Sequence, residues 1–361
     1  MTIPKLRLFA LAWLLLRVLA FAQDYPLPEN TPAASRADLK IHHVDTLNVH
    51  DPAIMPDPVS KTYYVYANYS PTRSYETLKS PNNRAGVKAW WSKDLINWHG
   101  PKLVYEVGKN FWADKTDAPW APEVHFFKGK YYLFVTFNDW DLIIDDNPER
   151  PKINKRASQI LVGDSPLGPF KPFDNRPHTP EGEMTLDGTF WYEDGQPWLI
   201  YCHEWVQLGN GLIKAIRLSD DLSHTIGDPI TLIDAGDVNW VKRTINYRGT
   251  PTPGIVTDGP WLYRSKTGKL MMMWSSWSKD RAYTTSLAYS DNDKITGNWT
   301  HRKEPILQDD VGHGNIFRTF EGDLRISIHR YFKQPNTRMQ IYPVVDTGND
   351  LKVGPLLHGH P

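Results

Sequence analysis

The sequence predicts an all-β fold made of five repeated units. Five hydrophobic hairpin segments resemble one another, and each is followed by a second pair of short strands. Their turn signals and short apolar runs leave no place for a long amphipathic helix. The hairpin segments begin at His50, Ala121, Leu186, Thr257 and Gly312. A β-sandwich would not produce five self-similar units, so the pattern predicts a five-bladed β-propeller with four-stranded antiparallel blades.

Each hairpin segment has the same internal order. A polar residue precedes a short strand, a turn follows, and a second hydrophobic strand runs back. Four of the five turns contain glycine, as in Lys128-Gly129 and Asp194-Gly195, which is typical of tight β-hairpins. A downstream partner such as "ILVGDSPLGPFKP" then supplies a third strand, a small polar turn and a final edge strand.

The N-terminus has the pattern of a signal peptide. Lys5 and Arg7 precede an apolar run that ends in the small-x-small sequence at residues 20–22. Arg17 interrupts this run, whereas a membrane span needs about 20 consecutive apolar residues. We therefore expect residues 1–22 to be removed and the protein to be secreted or periplasmic, with no membrane contact afterwards. Residues 23–39 are polar and proline-rich, which predicts a leader segment, and residues 40–361 then form a single propeller domain.

Composition narrows the possible partners. Lys plus Arg and Asp plus Glu both number 41, so the net charge is zero, which argues against nucleic acid or an anionic membrane as the main partner. The chain has 15 Trp and 17 Tyr, and aromatic rings that are partly exposed can stack on the flat faces of sugars. The single cysteine, Cys202, excludes an internal disulfide and is more often a small buried hydrophobe than a nucleophile. We expect a monomer that binds a carbohydrate.

Ionisable residues open the five hairpins. The first strand of a propeller blade lines the central channel, so the residue that precedes it faces one mouth of that channel. In chain order these residues are Asp51, Glu123, Asp187, Asp258 and His313. Clustered carboxylates raise one another's pKa, so that one can stay protonated as an acid while another remains ionised as a base. Hydrolysis of a glycosidic bond requires that combination.

The stretch "WLIYCHEWVQ" adds a further carboxylate to this mouth. Hairpin geometry predicts that Asp187 pairs with Cys202, so Glu204 lies two residues further on at the same end. Its neighbours His203 and Trp205 are candidates for binding substrate, although a histidine or tryptophan at a strand end more often packs. Two residues of the second blade, Trp120 and Glu123, are candidates for substrate binding as well.

The motifs resemble those of glycoside hydrolase family 43, the five-bladed inverting arabinofuranosidases and xylosidases. The resemblance extends over residues 44–345, and its most specific pieces are "HDPAIM", "WAPEV", "GKYYLF", "TLDGTFWYEDG" and "GHGNIF". It implies an inverting hydrolase of the α-L-arabinofuranosidase or β-xylosidase type, and together with the signal-peptide pattern and the long insertions it predicts a secreted enzyme that acts at the ends of plant-type polysaccharides or oligosaccharides. No cofactor is required for this chemistry, although a structural Ca²⁺ in the central channel is consistent with the resemblance.

The resemblance also implies roles for individual residues. Asp51 is the general base, Asp187 tunes the pKa of the general acid and orients it, and His313 corresponds to a channel histidine near a bound cation. The family opens its fourth blade with Glu-Gly-Pro, whereas this chain has Asp258 in "TDGPWLY". Either Asp258 acts as the acid on a shorter side chain, or Glu204 has taken the role. We favour Glu204.

Other functions remain open at this stage. A propeller that binds carbohydrate without catalysis would tolerate the change at Asp258. A retaining fructan-type hydrolase shares the fold, but this chain lacks the Trp-Met-Asn-Asp-Pro-Asn and Arg-Asp-Pro motifs of that group. The choice between arabinose and xylose is also open. The long insertions at residues 71–86 and 139–157 favour exo action, because they can enclose the mouth.

Overall fold

The computed structural model describes residues 40–72, 78–148 and 151–361. The predicted signal peptide and leader segment lie outside these residues. Within them the chain forms 23 strands and one four-residue α-helix, α1 (Trp205–Leu208), with short 3₁₀ turns at Val44–Thr46 and Ala235–Asp237. None of the helices in the described ranges has the length and apolar character that crossing a membrane demands.

The strands form five blades and one extra hairpin. Blade 1 contains β1 (Lys40–His43), β2 (Ile54–Asp57), β3 (Thr62–Tyr69), β4 (Gly86–Ser92) and β5 (Asn97–Glu106). Blade 2 contains β6 (Trp120–Phe127), β7 (Lys130–Asp145), β8 (Ile153–Gly163) and β9 (Lys171–Pro172). Blade 3 contains β10 (Thr185–Glu193), β11 (Gln196–His203), β12 (Leu212–Leu218) and β13 (Thr225–Asp234). The separate hairpin consists of β14 (Thr244–Tyr247) and β15 (Thr250–Pro253).

The last two blades repeat the same design. Blade 4 contains β16 (Asp258–Arg264), β17 (Leu270–Trp277), β18 (Tyr283–Ser290) and β19 (Trp299–His301). Blade 5 contains β20 (Val311–Arg318), β21 (Leu324–Arg330), β22 (Arg338–Asp346) and β23 (Leu351–Val353). The first strands of the five blades contact one another in a closed ring, which encloses the central channel. The predicted five-bladed, four-stranded antiparallel propeller is confirmed, with β1 as an additional outer strand on blade 1.

Hydrophobic clusters join each blade to the next. Successive side chains of a strand point to opposite faces, so each blade can pack against both neighbours. On β11, Leu199 and Tyr201 pack in a cluster with blade 2, whereas Ile200 and Cys202 pack in a cluster with blade 4. Cys202 is fully buried there, as expected for a packing residue.

A repeated backbone kink sets the positions of the mouth residues. At the start of each first strand one residue has a left-handed backbone, and these residues are Asp51, Ala121, Asp187, Gly259 and His313. Proline or glycine follows each of them, and the strand register shifts at this point in blades 2 to 5. Such β-bulges re-aim side chains and are common beside active sites. The structurally equivalent positions of the five blades are therefore these left-handed residues. They differ from the five ionisable residues that the sequence pattern aligned.

Three corrections follow from these kinks. Glu123 lies two residues after the kink of its blade, and Asp258 lies one residue before the kink of blade 4. The kink residue of blade 4 is Gly259, where a Cβ atom would lie 2.5 Å from Cδ2 of His313. In blade 3, Cys202 pairs with Leu186 rather than with Asp187. A β-bulge adds one residue to a strand without changing the alternation of polar and apolar residues in the sequence. The sequence pattern therefore placed Glu123, Asp258 and the partner of Cys202 one or two positions away from where they lie.

Side chains of the preceding blade hold the kinks in place. The backbone N–H of Asp187 donates to Oγ1 of Thr136 at 2.9 Å, and that of His313 donates to Oγ of Ser275 at 2.9 Å. The N–H of Asp51 lies 3.3 Å from Nδ1 of His329. The last of these contacts joins blade 5 to blade 1. It helps to close the ring between blades that exchange no strand.

Candidate active site

A histidine lies between two acids at the centre of the mouth. Nδ1 of His313 is 3.2 Å from Oδ1 of Asp51 and 3.6 Å from Oδ2 of Asp187. All three side chains are at most 13% exposed. The kinks of blades 1, 3 and 5 therefore bring together Asp51, Asp187 and His313, as the sequence predicted.

Asp51 is surrounded by imidazoles. Besides His313, Nδ1 of His50 lies 2.8 Å from Oδ2 of Asp51, and Nδ1 of His329 lies 3.2 Å from Oδ1. Burial alone would raise the pKa of Asp51, but the charges of His313 and His50 and the hydrogen bond with His329 hold that pKa well below its usual range. Asp51 is therefore ionised at neutral pH, which is the state that a general base requires.

The imidazoles beside Asp51 have different protonation states. His329 stacks on His50 with ring centroids 4.2 Å apart. Burial and the neighbouring His50 lower the pKa of His329 to about 3, so it stays neutral. Burial opposes protonation of His50 too, but the carboxylate of Asp51 raises the pKa of His50 above its usual value. The environment of Asp51 thus raises the pKa of one neighbouring imidazole and lowers that of the other.

Asp187 and Asp258 have the opposite electrostatic environment. Oδ2 of Asp187 accepts a hydrogen bond from the backbone N–H of Gly259 at 3.0 Å, and Oδ2 of Asp258 accepts one from Tyr283 at 2.7 Å. Burial and the charge of Asp51 raise the pKa of Asp187 well above its usual value. Burial and the charge of Asp187 do the same to the pKa of Asp258, against the opposing effects of His313 and Tyr283.

Glu204 lies on the blade 2 side of the mouth. It follows β11 directly, its backbone N–H donates to the carbonyl of Met184, and its carboxylate forms a buried ion pair with Arg156. Nε of Arg156 also donates to Oδ1 of Asn138 at 2.7 Å. Burial raises the pKa of Glu204 above its usual value, although Arg156 acts in the opposite direction. The charge of Glu204 contributes to the raised pKa of Asp187, so the two carboxyl groups belong to one electrostatic cluster.

Trp120 contacts this cluster through Arg156. The guanidinium carbon of Arg156 lies 4.2 Å from the centre of the Trp120 ring. Glu123, on the same strand, pairs with His125 at 2.6 Å, and His125 stacks on Trp261 of blade 4. These residues face the channel further from the mouth, and the charge of Glu123 also contributes to the raised pKa of Asp187.

His203 and Trp205 belong to other surroundings. His203 lies 2.8 Å from Oε1 of Gln207 and 3.5 Å from Oε2 of Glu183, in a polar network apart from the mouth carboxylates. Trp205 is only 6% exposed and packs edge-on against Tyr247. The prediction that Trp205 offers a face to a sugar is wrong, because the short helix α1 turns the ring into a hydrophobic cluster.

Four residues of the site were missed by the sequence argument. His50 precedes Asp51 directly, so its proximity could have been inferred. His329 and Tyr283 occupy second and third strands, where a mouth position can be recognised only after the blades are aligned. Arg156 comes from β8 of another blade, and no spacing relates it to Glu204.

The predicted calcium ion does not fit the residues around the channel histidine. Calcium takes six to eight oxygen ligands. In the described part of the chain, the group close enough to share one ion is His50, Asp51 and His329, which offers two imidazoles and one carboxylate and does not include His313. Nδ1 of His313 is already within reach of two carboxylates. The mouth residues around His313 therefore do not form the oxygen-rich set of ligands that calcium prefers.

The fold and the paired carboxylates define a class of protein, the propeller glycoside hydrolases. The model of the family described as glycosyl hydrolases family 43 matches residues 44–343. A crystal structure of an endo-arabinase from Bacteroides thetaiotaomicron is 34% identical, with a TM-score of 0.71, and the match covers 85% of this chain and 98% of that one. No curated protein was found to match.

More distant structures share the fold. A thermostable family-43 glycoside hydrolase is 24% identical with a TM-score of 0.66, and the match covers 88% of this chain and 97% of that one. An α-L-arabinofuranosidase from Lactobacillus brevis is 15% identical with a TM-score of 0.63, over 85% of this chain and 96% of that one. The chain belongs to glycoside hydrolase family 43. It is therefore a glycosidase that hydrolyses O-glycosyl bonds.

Proposed function

We propose that this protein hydrolyses α-L-arabinofuranosyl bonds in plant polysaccharides or their oligosaccharides, with inversion of configuration. The observation that carries this proposal is the opposed electrostatics of one mouth. Asp51 has a pKa well below its usual range, while Asp187, Asp258 and Glu204 have raised values. Groups whose environments drive their pKa values apart supply the base and the acid of glycoside hydrolysis.

Asp51 acts as the general base. Its carboxylate accepts a proton from a water molecule, whose oxygen attacks the anomeric carbon on the face opposite the leaving group. His50, His313 and His329 hold the carboxylate ionised and fix its orientation. The water is deprotonated as the glycosidic bond breaks, so no covalent intermediate with the enzyme forms.

Glu204 is our choice for the general acid. It donates its proton to the glycosidic oxygen, and the leaving sugar departs as a neutral alcohol. Its longer side chain reaches further than an aspartate, and burial raises its pKa. Arg156 contacts one carboxylate oxygen of Glu204 and stabilises the negative charge that remains there after proton transfer. Asp187 lies in the same electrostatic cluster, because the charge of Glu204 contributes to the raised pKa of Asp187.

Asp258 is the second candidate for the acid. Its pKa is raised well above the usual value, and it occupies the residue directly before the blade 4 kink. However, one of its oxygens already accepts the hydrogen bond of Tyr283, and its side chain is one methylene shorter. Both features reduce its reach towards a substrate oxygen.

The choice of arabinofuranosyl bonds is supported by the 34% identical structure, whose name is endo-arabinase. The alternative β-xylosidase activity stays a prediction, because the endo-1,4-β-xylanase structure is only 20% identical and shows the fold alone. Exo action stays a prediction, because the 34% identical structure is named an endo-arabinase. Secretion is supported by the signal-peptide pattern of residues 1–22.

Proton NMR of the first product tests this proposal. The full mature chain is mixed with arabino-oligosaccharides or with xylo-oligosaccharides, and the anomeric signals are followed before mutarotation equalises them. We expect free arabinose of inverted configuration from the non-reducing end. Retained configuration would overturn the single-displacement mechanism, and turnover of xylosides alone would overturn the proposed substrate. Release of internal fragments instead of arabinose would overturn exo action.

A further inference from the structure

Two segments at the mouth are not part of the repeated blades. Strand β7 continues beyond Thr136, which pairs with Trp120 at the mouth, as far as Asp145. Asp139 pairs with Lys155 and Ile143 with Asn154, so residues 140–142 have no partner on β8. The β14–β15 hairpin, residues 244–253, is inserted between blades 3 and 4. We call residues 140–145 and 244–253 together the mouth wall.

Side-chain contacts join the two parts of the mouth wall. The guanidinium carbon of Arg248, at the hairpin tip, lies 5.0 Å from the centre of the Trp140 ring, and its NH2 group lies 3.4 Å from Oδ1 of Asn154. Nε1 of Trp140 donates to Asp117 at 2.9 Å. Arg248 and Gly249 both have positive φ, as a tight two-residue hairpin turn requires. The wall is thus a defined structure and not two unrelated loops.

A separate hydrophobic cluster supports the mouth wall. Its buried members are Ile153, Met184, Trp205, Val206 and Val256. Ile144 of β7 and Ile245 and Tyr247 of the hairpin pack against it. Both parts of the wall therefore rest on one core. Buried Trp205, the residue next to Glu204, anchors the hairpin through its contact with Tyr247.

The mouth wall begins next to Glu204, the proposed general acid. The guanidinium carbon of Arg156 lies 4.2 Å from the Trp120 ring and 5.7 Å from the Trp140 ring, and Arg156 pairs with Glu204. A general acid faces the glycosidic oxygen, so the sugar that leaves lies on its side of the cleaved bond. The wall rises on that side.

The wall offers chemistry that suits a sugar. Trp140 is 36% exposed, and a partly exposed aromatic ring can stack on the C–H face of a sugar ring. The guanidinium of Arg248 carries five N–H donors, which match hydroxyl oxygens. The hydroxyl of Tyr247, beside Arg248, is buried and has no hydrogen-bond partner within the described residues. An unsatisfied buried hydroxyl is costly unless a bound group or water completes it.

We propose that Trp140 and Arg248 form a binding site for the leaving-group sugars of the substrate. The site takes one or two pentose units on the far side of the cleaved bond and determines how strongly the enzyme prefers oligosaccharides over simple glycosides. This inference rests on the proposed function and on Glu204 as the acid. The alternative is a purely structural role, in which the Trp140–Arg248 contact only stabilises the hairpin.

The experiment compares two kinds of leaving group. Arg248→Ala and Trp140→Ala are made in the full mature chain, and kcat/KM is measured with linear arabino-oligosaccharides and with a nitrophenyl arabinofuranoside, which has no sugar in its leaving group. We expect a loss of roughly tenfold or more on the oligosaccharides, as for other pocket contacts of this size. With the nitrophenyl substrate we expect a change of less than about threefold. Arg248→Lys keeps the charge but not the planar donor fork, and should lose less.

Matched controls remove an exposed arginine and an exposed aromatic ring elsewhere. Arg318→Ala removes an exposed arginine at the far end of β20, and Tyr192→Ala removes a ring that is 44% exposed at the other end of β10. Neither should alter the ratio of the two kcat/KM values. Equal losses on both substrates in the wall variants, with a lowered Tm, would show that the contact is only structural and would overturn the proposal. Unchanged oligosaccharide kinetics would overturn it too.

Failure of the proposed function has a different signature. A wild-type enzyme inactive on every arabinoside would overturn the proposed substrate. The wall would then be judged by the same ratio of kcat/KM values, measured with the oligosaccharide and nitrophenyl glycoside of the sugar that the wild type does cleave. A normal ratio in Arg248→Ala and Trp140→Ala would overturn the inference on its own.

Discussion

The two sides of the mouth bury carboxylates to a similar extent but drive their protonation in opposite directions. Side chains of Asp51 and Glu204 are 13% and 6% exposed. On the Asp51 side three imidazoles surround the carboxylate, and its pKa falls well below the usual range. On the Glu204 side burial prevails over Arg156, and the pKa rises. Burial alone raises the pKa of a carboxyl group, so the number and placement of partners decide which residue is the base.

Asp187 lies between these two environments. His313 contacts both Asp51 and Asp187, yet the pKa of Asp187 is raised because Asp51 stays ionised beside it. The ionised base thus raises the pKa of the carboxyl group beside it. A site in which one carboxyl group has a lowered pKa and the others have raised pKa values can supply a base and an acid at the same pH.

The largest expected effect on activity comes from replacing Asp51, the ionised carboxylate. Asp51→Asn should lower kcat by about 10³-fold or more, since general base catalysis contributes about 10²–10⁴-fold. The variant keeps its size, so circular dichroism and thermal unfolding should show an intact propeller. Asp220→Asn, at an exposed surface position, is the matched control and should retain full activity. Substantial activity in Asp51→Asn would remove Asp51 from the mechanism.

Asp187→Asn should separate activity from stability. We expect a loss of about 10²-fold in kcat, together with a Tm higher by about 2 °C or more at pH 7. Below the unfolded-state pKa of about 4, both states carry the proton and the aspartate costs nothing. As the pH rises further, the unfolded chain loses its proton while the folded chain retains it, so the wild type loses stability until the pH passes the raised folded pKa.

Thermal unfolding at several pH values checks this second prediction. The Tm advantage of Asp187→Asn should disappear below about pH 4. An advantage of the same size at pH 3.5 and pH 7 would mean that the asparagine acts through packing, and a lower Tm at pH 7 would contradict the raised pKa of Asp187.

His50→Gln should shift the pH profile by a smaller amount. The charge and hydrogen bond of His50 help to hold the pKa of Asp51 down, so their loss should raise it. Because the base must be ionised, the acidic limb of kcat/KM should move to higher pH by about one unit, the shift expected for losing one nearby opposite charge. His99→Gln, outside the mouth, is the control. An acidic limb that stays in place would assign the low pKa to His313 and His329 alone.

Cys202→Ala should have the smallest effect on activity. The cysteine packs between blades 3 and 4, opposite Leu186, and its side chain is fully buried. We expect a change in kcat of less than about twofold and a loss of roughly 1 kcal/mol in the free energy of unfolding, typical of a small core truncation. Denaturant unfolding and steady-state kinetics measure both quantities. A large loss of kcat with normal stability would restore Cys202 as a chemical participant.

The repeat pattern predicted the blades because every blade needs the same alternation to pack on two neighbours. It also predicted Asp51, Asp187 and His313, since all three occupy the kink of their blade. The offsets of Glu123 and Asp258 escaped prediction because a β-bulge changes the register without changing the alternation. Nothing in the sequence links Arg156 to Glu204, because the pair is formed between strands of different blades.

The identity of the proton donor is tested most directly by measuring how the activity of each variant depends on the leaving group of the substrate. Glu204→Gln and Asp258→Asn are compared on an arabino-oligosaccharide, which needs a proton, and on a dinitrophenyl arabinofuranoside, whose leaving group needs almost none. The account predicts that Glu204→Gln loses about 10²-fold or more on the oligosaccharide but far less on the aryl glycoside, and loses the alkaline limb of its pH profile. Asp258→Asn should show no such difference between substrates. The reverse result, with the leaving-group dependence in Asp258→Asn, would contradict Glu204 as the general acid.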